Sequence, residues 1–169
     1  MPARHKRLVL KRRVSWNDSD PARVMNTPRA FAHATDAIEA VLERCYGVTY
    51  TGLIERHGLG QPNVHASCDY LRPLRAGDRF TLAVDIEKLG RASVIWRVEG
   101  RDTRGRLALR LRVVSSLVRM DRFRAVPIPP RWRKRLAAYV RPEGPSPSRT
   151  PRPGGAARRP RSAAARPSG

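Results

Sequence analysis

The chain has 169 residues, enough for one domain with a modest core and too few for a sizeable second one. Hydrophobic residues make up 40% and aromatic residues 6%, values that suit a soluble α/β or α+β domain. No apolar run is long enough to span a bilayer, so we expect no membrane insertion. The basic N-terminus is not followed by a long apolar stretch, which argues against a secretory signal and favours the cytoplasm.

The net charge of +21 is the most unusual property of the sequence. Such a charge makes nucleic acid a candidate partner. Of the 35 basic residues, only Lys6, Lys11, Lys88 and Lys134 are lysine, and a bias of this kind toward arginine often reflects coding rather than binding. Either a polyanion or a small anionic ligand would be attracted to the chain.

The composition changes at Pro142. From there to Gly169 the chain consists mainly of Pro, Ser, Gly, Ala and Arg, with no aromatic residue. Such a segment cannot bury enough apolar surface to offset the entropy lost on ordering. We therefore predict a folded domain over 1–141 and a disordered tail over 142–169. The tail is a solvated extension or a weak electrostatic arm, and the lack of aromatic residues for base stacking favours the first.

The folded part opens with a predicted strand from Leu8 to Trp16, then a polar loop over 17–26, then a helix. Thr27 is a good N-cap, and Pro28 suits the first helical position. Apolar residues then recur at helical spacing up to Gly47, a typical residue at a helix end.

Strands dominate the rest of the domain. An irregular stretch over 51–60 comes first, and a short basic helix over 131–140 comes last. Apolar and polar residues alternate between them, which predicts strands over 62–72, 78–89, 92–101 and 105–120. One long helix with about five antiparallel strands predicts an α+β domain, in which the helix packs on a curved sheet.

Metal and cofactor sites are not indicated. Cys45 and Cys68 have neither metal-ligand nor disulfide-framework spacing. The four histidines show no ligand spacing, so we expect no metal and no cofactor. No serine lies in the context of a catalytic triad.

Two aspartates, Asp18 and Asp20, lie in the loop before the helix. The helix start offers unpaired N–H groups and the positive end of the helix dipole. A carboxylate that attacks or activates water, with backbone donors that hold an oxyanion, makes a minimal site for acyl transfer. On spacing alone, aspartates that only shape a turn are the better interpretation.

Several short motifs occur together in a recognisable order. They are Trp16-Asn17-Asp18-Ser19-Asp20-Pro21-Ala22, Pro28, Asp36-Ala37, Gly60-Gln61-Pro62, Asp69-Tyr70-Leu71-Arg72-Pro73, Gly77-Asp78 and Leu89-Gly90-Arg91-Ala92-Ser93. Over about residues 8–130 the chain thereby resembles the 4-hydroxybenzoyl-CoA thioesterase family. These are hotdog-fold enzymes, similar also to the acyl-CoA thioesterases associated with the Tol–Pal system.

The resemblance implies hydrolysis of an acyl-CoA thioester to CoA and a free acid. Asp20 matches the catalytic aspartate, which acts as nucleophile or general base, and the Thr27 backbone N–H matches the donor that polarises the thioester carbonyl. The implied substrate is an aryl- or short-chain acyl-CoA of the 4-hydroxybenzoyl type. The family forms dimers, often paired into tetramers, with sites at the subunit interface, so a homodimer or homotetramer is implied.

Four further residues become candidate substrate contacts through the resemblance. Arg91 and Ser93 match the hairpin that borders the CoA channel. Arg23 replaces a usual glycine and could pair with Asp20, and Asn26 precedes the helix where the family shapes its acyl pocket. The alternative functions are a catalytically weak hotdog binding module and a basic protein that binds nucleic acid through its tail.

Overall fold

The structure of the protein is a computed structural model that describes residues 5–142. The tail predicted over 142–169 therefore lies outside the described residues, apart from Pro142. The alternative function that depends on it, binding of nucleic acid, concerns residues that the structure does not describe. Among the described helices, none is long and apolar enough to cross a membrane.

Five antiparallel strands form the main sheet, in the order β1-β4-β5-β6-β3. Their bounds are β1 Leu8–Arg13, β3 Asn63–Tyr70, β4 Arg79–Leu89, β5 Ser93–Asp102 and β6 Leu107–Ser116. Register shifts interrupt the pairing of β4 with β5, of β5 with β6 and of β3 with β6. Such irregularities bend strands, which lets the sheet curve around a helix.

The long helix α1, Thr27–Tyr46, covers one face of this sheet. Small buried residues such as Ala30, Ala34 and Ala37 let its backbone approach the strands closely. Leu82 and Val84 of β4 belong to the same buried cluster. The predicted architecture of one helix on a curved antiparallel sheet is therefore confirmed.

Smaller elements close the ends of this layer. A second sheet has the order β2-β7-β8, and the helices are α2 and α3. Their bounds are β2 Leu59–Gly60, β7 Val118–Arg119, β8 Arg124–Ala125, α2 Tyr50–His57 and α3 Pro130–Ala137. Trp132 of α3 stacks on Tyr46 at the end of α1, with ring centroids 4.3 Å apart, so the last helix seals the core.

Three local predictions are wrong. The first strand ends at Arg13, and a 3-10 turn over Trp16–Asp18 leaves the Trp16 side chain 80% exposed. Part of the irregular stretch is the helix α2, capped by the Thr49 hydroxyl, which accepts from the Gly52 N–H at 3.0 Å. The N-cap of α1 is Asn26 rather than Thr27, because the Asn26 side chain accepts the Arg29 N–H.

Candidate active site

A tight hairpin loop holds Asp20 ahead of α1. The Arg23 N–H donates to the Asp20 carbonyl at 2.8 Å, and the Asp20 N–H donates to the Val24 carbonyl at 3.0 Å. Pro21 occupies the second position of this turn, where its fixed φ is favoured. The pattern matches the three-residue hairpin loop, whose last loop residue takes a left-handed conformation.

Arg23 is that left-handed residue, with φ of 62°. This conformation costs a residue with a side chain about 1 kcal/mol, whereas glycine adopts it freely. The left-handed conformation therefore explains why the family that the chain resembles usually has glycine at this position. The Arg23 side chain is exposed, and the described ion pairs include none between Arg23 and Asp20, so the suggested pairing is not seen.

The two oxygens of the Asp20 carboxylate differ in their contacts. Oδ1 accepts the Ala22 N–H at 2.9 Å and the Val24 N–H at 3.5 Å. No described group donates to Oδ2. The side chain is only partly buried. One oxygen thus fixes the orientation of the carboxylate, and the other stays available for chemistry.

The first turn of α1 leaves one backbone donor without a described acceptor. The Arg29 N–H is taken by Asn26 Oδ1 at 3.1 Å, and Pro28 has no N–H. No described residue accepts the Thr27 N–H. The Tyr70 hydroxyl donates to the Thr27 carbonyl at 3.3 Å and ties the helix start to the end of β3. Thr27 therefore presents its N–H at the positive end of the helix dipole.

Asp18 has the opposite surroundings and is 1% exposed. Its carboxylate accepts from Arg29 Nε at 2.5 Å, from the Ser15 N–H at 2.8 Å and from His33 Nε2 at 3.2 Å. Burial by itself raises the pKa of this carboxyl, but the hydrogen bonds outweigh burial and hold the pKa well below its usual range. The Asp18 carbonyl also accepts the Asn26 N–H at 2.8 Å, so Asp18 locks the loop onto the helix start.

Two cavities meet at Asp20, the one residue that lines both. The Tyr70 cavity has a volume of about 380 Å³ and is lined by Asp20, Val24, Met25, Thr27, Tyr70, Leu71, Arg72, Pro73, Leu74 and Leu109. The Trp16 cavity has a volume of about 730 Å³ and is lined by Trp16, Ser19, Asp20, Pro21, Arg23, Arg75 and Ala76. The first is lined by Thr27 at the start of α1 and by one arginine, Arg72, whereas the second is lined by two arginines and by the exposed ring of Trp16.

A third cavity, of about 790 Å³, lies between β1 and the first turns of α1. Asp18 and Asp102 are the acids that line it. Both carboxylates are engaged, Asp18 by Arg29 and His33, and Asp102 by Arg106 at 2.8 Å. It offers no free carboxylate for attack, so the candidate site is the pair of cavities at Asp20.

The predicted site residues separate into two groups. Asp20, Thr27 and Arg23 lie at the two cavities, whereas Asn26 caps α1 and lines neither of them. The hairpin with Arg91 and Ser93 follows the far end of β4, whose near end starts beside the Asp20 loop. Eleven strand residues at about 3.3 Å each separate the two ends, so one chain does not bring the groups together.

Several lining residues were not predicted as site residues. Tyr70 and Leu71 belong to a motif that the resemblance singled out, but their position beside Asp20 depends on the pairing of β3 with β6. Leu109 reaches the same cavity from β6. Trp16 was predicted within a strand, and its exposure follows from the 3-10 turn. The motif order was thus the signal available for Trp16, Tyr70 and Leu71, whereas Leu109 lies in none of the motifs.

Comparisons with known proteins bear on this site. A model of the thioesterase-like superfamily matches residues 14–136. A 1,4-dihydroxy-2-naphthoyl-CoA hydrolase of Synechococcus sp. (strain CC9605) is 31% identical over 93 residues, which are 52% of this chain and 62% of that protein. The chain therefore spans less than two thirds of the length of the curated relatives it matches.

Solved structures agree in fold. A Staphylococcus aureus protein in complex with CoA has a TM-score of 0.77 at 16% identity, covering 86% of this chain and 92% of its own. A point mutant of 4-hydroxybenzoyl-CoA thioesterase complexed with 4-hydroxybenzoyl-CoA has a TM-score of 0.72 at 19% identity, covering 77% and 98%. At these identities the likeness shows the fold alone, and it confirms the hotdog fold.

Proposed function

The chain belongs to the thioesterase-like superfamily, and we propose that it hydrolyses an acyl-CoA thioester to CoA and a free acid. One observation carries the proposal. Asp20, with a carboxylate oxygen that accepts no hydrogen bond from the described residues, lines the same cavity as Thr27, whose N–H has no described acceptor. A base or nucleophile and an oxyanion donor are the two parts that acyl transfer requires.

The chemistry follows from these two groups. The thioester carbonyl oxygen accepts the Thr27 N–H, and negative charge that develops on it is stabilised at the helix start. Asp20 either attacks the carbonyl carbon or takes a proton from an attacking water. The carbon–sulfur bond then breaks, and the CoA thiolate leaves. Where Asp20 is the nucleophile, water then hydrolyses the mixed anhydride between Asp20 and the acyl group, which releases the acid and restores the carboxylate. Because Asp20 Oδ1 is already held by backbone N–H groups, Oδ2 is the reacting oxygen.

An aryl- or short-chain acyl-CoA is the proposed substrate. The curated relatives are named for an aryl-CoA substrate, and one neighbour in fold was solved with CoA. The net charge of +21 also suits the polyanionic CoA moiety. A 4-hydroxybenzoyl-like acyl group is consistent with the Tyr70 and Trp16 cavities, whose volumes are about 380 and 730 Å³.

A homodimer completes the proposal, and β3 supports it. β3 pairs with β6 on one side, and its other edge has no partner among the described strands. Its side chains are mostly exposed, including Val64 at 62%. A long exposed edge with apolar side chains is a template for pairing with another strand. We expect β3 to pair antiparallel with β3 of a second copy about a twofold axis.

Such a twofold axis would bring the predicted CoA-binding hairpin of one copy to the Asp20 site of the other. The Tyr70 end of β3 lies at the Asp20 cavities, whereas the Asn63 end lies near Ser93, since both pair with neighbouring residues of β6. Antiparallel pairing sets the Asn63 end of one copy beside the Tyr70 end of the other. Arg91 of the second copy would then border the Asp20 site of the first, where it can contact the CoA phosphates.

A panel of aryl- and short-chain acyl-CoAs, assayed by release of free thiol, tests the activity. We expect Asp20→Asn to lower kcat by about a hundredfold to ten-thousandfold, since a group of this role contributes that much. Asp121→Asn, an exposed aspartate in the turn before β8, is the matched control and should keep full turnover. A kcat for Asp20→Asn equal to that of the wild type would overturn the assignment.

A further inference from the structure

We infer, on the basis of the proposed hydrolysis, that the Trp16 cavity receives the acyl group and selects acyl groups with a negatively charged far end. The Arg23 and Arg75 guanidinium groups recognise the distal carboxylate. The exposed indole of Trp16 covers the carbon skeleton between that carboxylate and the thioester.

The position of Asp20 orients the substrate. The Tyr70 cavity adjoins the end of β3, the edge along which the proposed second copy would deliver the pantetheine arm. Thr27 lines that cavity, so the thioester carbonyl would bind there, beside the Thr27 N–H. Asp20 stands at the junction, and the acyl group continues past it into the Trp16 cavity of about 730 Å³. This volume accommodates a substituted aromatic acyl group.

The charge of the Trp16 cavity is unbalanced. Arg23 and Arg75 are its two cations, and neither belongs to a described ion pair. Asp20 is the one acid among its lining residues. Val24 and Arg75 form an antiparallel bridge, and the Ala76 N–H donates to the Arg23 carbonyl at 3.4 Å. The backbones of Arg23 and Arg75 are therefore neighbours, one residue out of register, and both residues line the same cavity, where a carboxylate can accept from them.

The conformation of Arg23 is a second and independent observation. A φ of 62° strains any residue with a side chain, by about 1 kcal/mol. Backbone strain of this kind clusters at active sites and ligand-binding sites. The strained position sets a guanidinium on the hairpin that carries Asp20.

Trp16 adds an apolar surface beside these cations. Its side chain is 80% exposed, whereas Trp96 and Trp132 are fully buried. Aromatic side chains stack on rings and cover hydrocarbon. The phosphates of CoA are separated from the thioester by the whole pantetheine arm, so cations beside the reacting carbonyl reach the acyl group rather than the phosphates. In an acyl group that ends in a carboxylate, the carbon skeleton would pack on the indole and the carboxylate would accept hydrogen bonds from the guanidinium groups.

Hydrolysis of 4-carboxybenzoyl-CoA and of 4-methylbenzoyl-CoA tests the inference, because the two differ in the charge at the far end of one ring. The wild type should favour the carboxylated substrate in kcat/KM by about tenfold, the worth of one charged hydrogen bond. Arg23→Gly and Arg75→Gln should each reduce that ratio several-fold. Arg124→Gln, which removes an exposed charge of β8, is the control and should leave it unchanged. A ratio that neither variant changes overturns the inference.

Folding does not confound this test. Arg23→Gly relieves the left-handed strain, so its thermal midpoint should equal or exceed that of the wild type. A lost preference in Arg23→Gly therefore reports the missing guanidinium rather than a damaged hairpin.

A binding measurement separates this inference from the proposed activity. Because Trp16 is the exposed tryptophan, its fluorescence reports ligands in this cavity. 4-Carbamoylbenzoate should quench it at lower concentration than 4-methylbenzamide does, because the amide of each replaces the thioester and only the first has a carboxylate at the far end. Arg75→Gln should abolish the difference. Selective binding without hydrolysis of any thioester would overturn the proposed function and retain the anion site. Equal binding of the two amides would overturn the anion site alone.

Discussion

Asp18 and Asp20 are two positions apart, yet they lie in opposite environments. Asp18 is buried and hydrogen-bonded to Arg29 and His33, whereas Asp20 is partly exposed between two cavities and has one oxygen that accepts no hydrogen bond from the described residues. The difference shows that residue type and loop position do not assign a role. The partners decide it, because a carboxylate saturated with donors is a poor nucleophile and a poor base.

The backbone produces this division. A 3-10 turn over Trp16–Asp18 turns the Asp18 side chain inward against α1. The hairpin loop that follows turns Asp20 toward solvent and the cavities. Two short turns in succession therefore place a buried structural carboxylate and the proposed catalytic carboxylate within one loop.

The largest expected effect on stability separates the two aspartates. We expect Asp18→Asn to lower the free energy of unfolding by about 2 kcal/mol, since it breaks a buried ion pair whose Arg29 partner is half exposed. Asp20→Asn should cost less than about 1 kcal/mol, because its bonds are local and partly exposed. Urea unfolding of both variants measures the comparison. Equal losses would contradict the division of roles.

Acid should weaken the Asp18 lock. The folded pKa of Asp18 lies well below its ordinary value of 3.8, so this carboxylate stabilises the fold at pH values above 3.8. As the pH falls below 3.8, the Asp18 carboxyl is protonated in the unfolded state before it is protonated in the folded state. The stabilisation therefore decreases as the pH falls from 3.8 toward the lower pKa of the folded state. The stability gap between wild type and Asp18→Asn should therefore be widest near neutral pH and narrow at pH 3. A gap that stays constant would show that charge does not contribute.

The smallest effect concerns the helix start that the two aspartates share. Asn26→Ala should cost about 1 kcal/mol, because it removes the N-cap that accepts the Arg29 N–H. The Arg29 N–H keeps its 3.2 Å hydrogen bond to the carbonyl of residue 26, so the variant removes the side-chain acceptor alone. Asn26→Asp keeps an acceptor and is the control. Differential scanning calorimetry gives the stability, and an unchanged midpoint in Asn26→Ala would contradict the capping role.

The main elements could be predicted from the sequence for clear reasons. Alternating residues over β6 and a long amphipathic stripe over α1 carry strong periodic signals. The helix α2 has only eight residues, too few for a reliable period, so Thr49 was not recognised as its cap. Trp16 was predicted within a strand because apolar residues favour strands, whereas the hydrogen bonds of Asp18 favour a turn there.

The candidate site was predictable only in part. The order of short motifs pointed to Asp20 and Thr27, and the structure places both on one cavity. The contacts of Asp18 and the exposed side of Arg23 depend on tertiary pairing that a single sequence does not encode locally. The separation of Arg91 from Asp20 follows from the length of β4, which was predicted, but its consequence needed the sheet order.

The length of β4 has a genetic consequence if two copies share each site. An Asp20→Asn allele and an Arg91→Ala allele change residues near opposite ends of β4. When a cell expresses both, a mixed pair contains one site with both defects and one site with neither. Two alleles that are each inactive alone would then complement one another, and part of the activity would return without recombination between them.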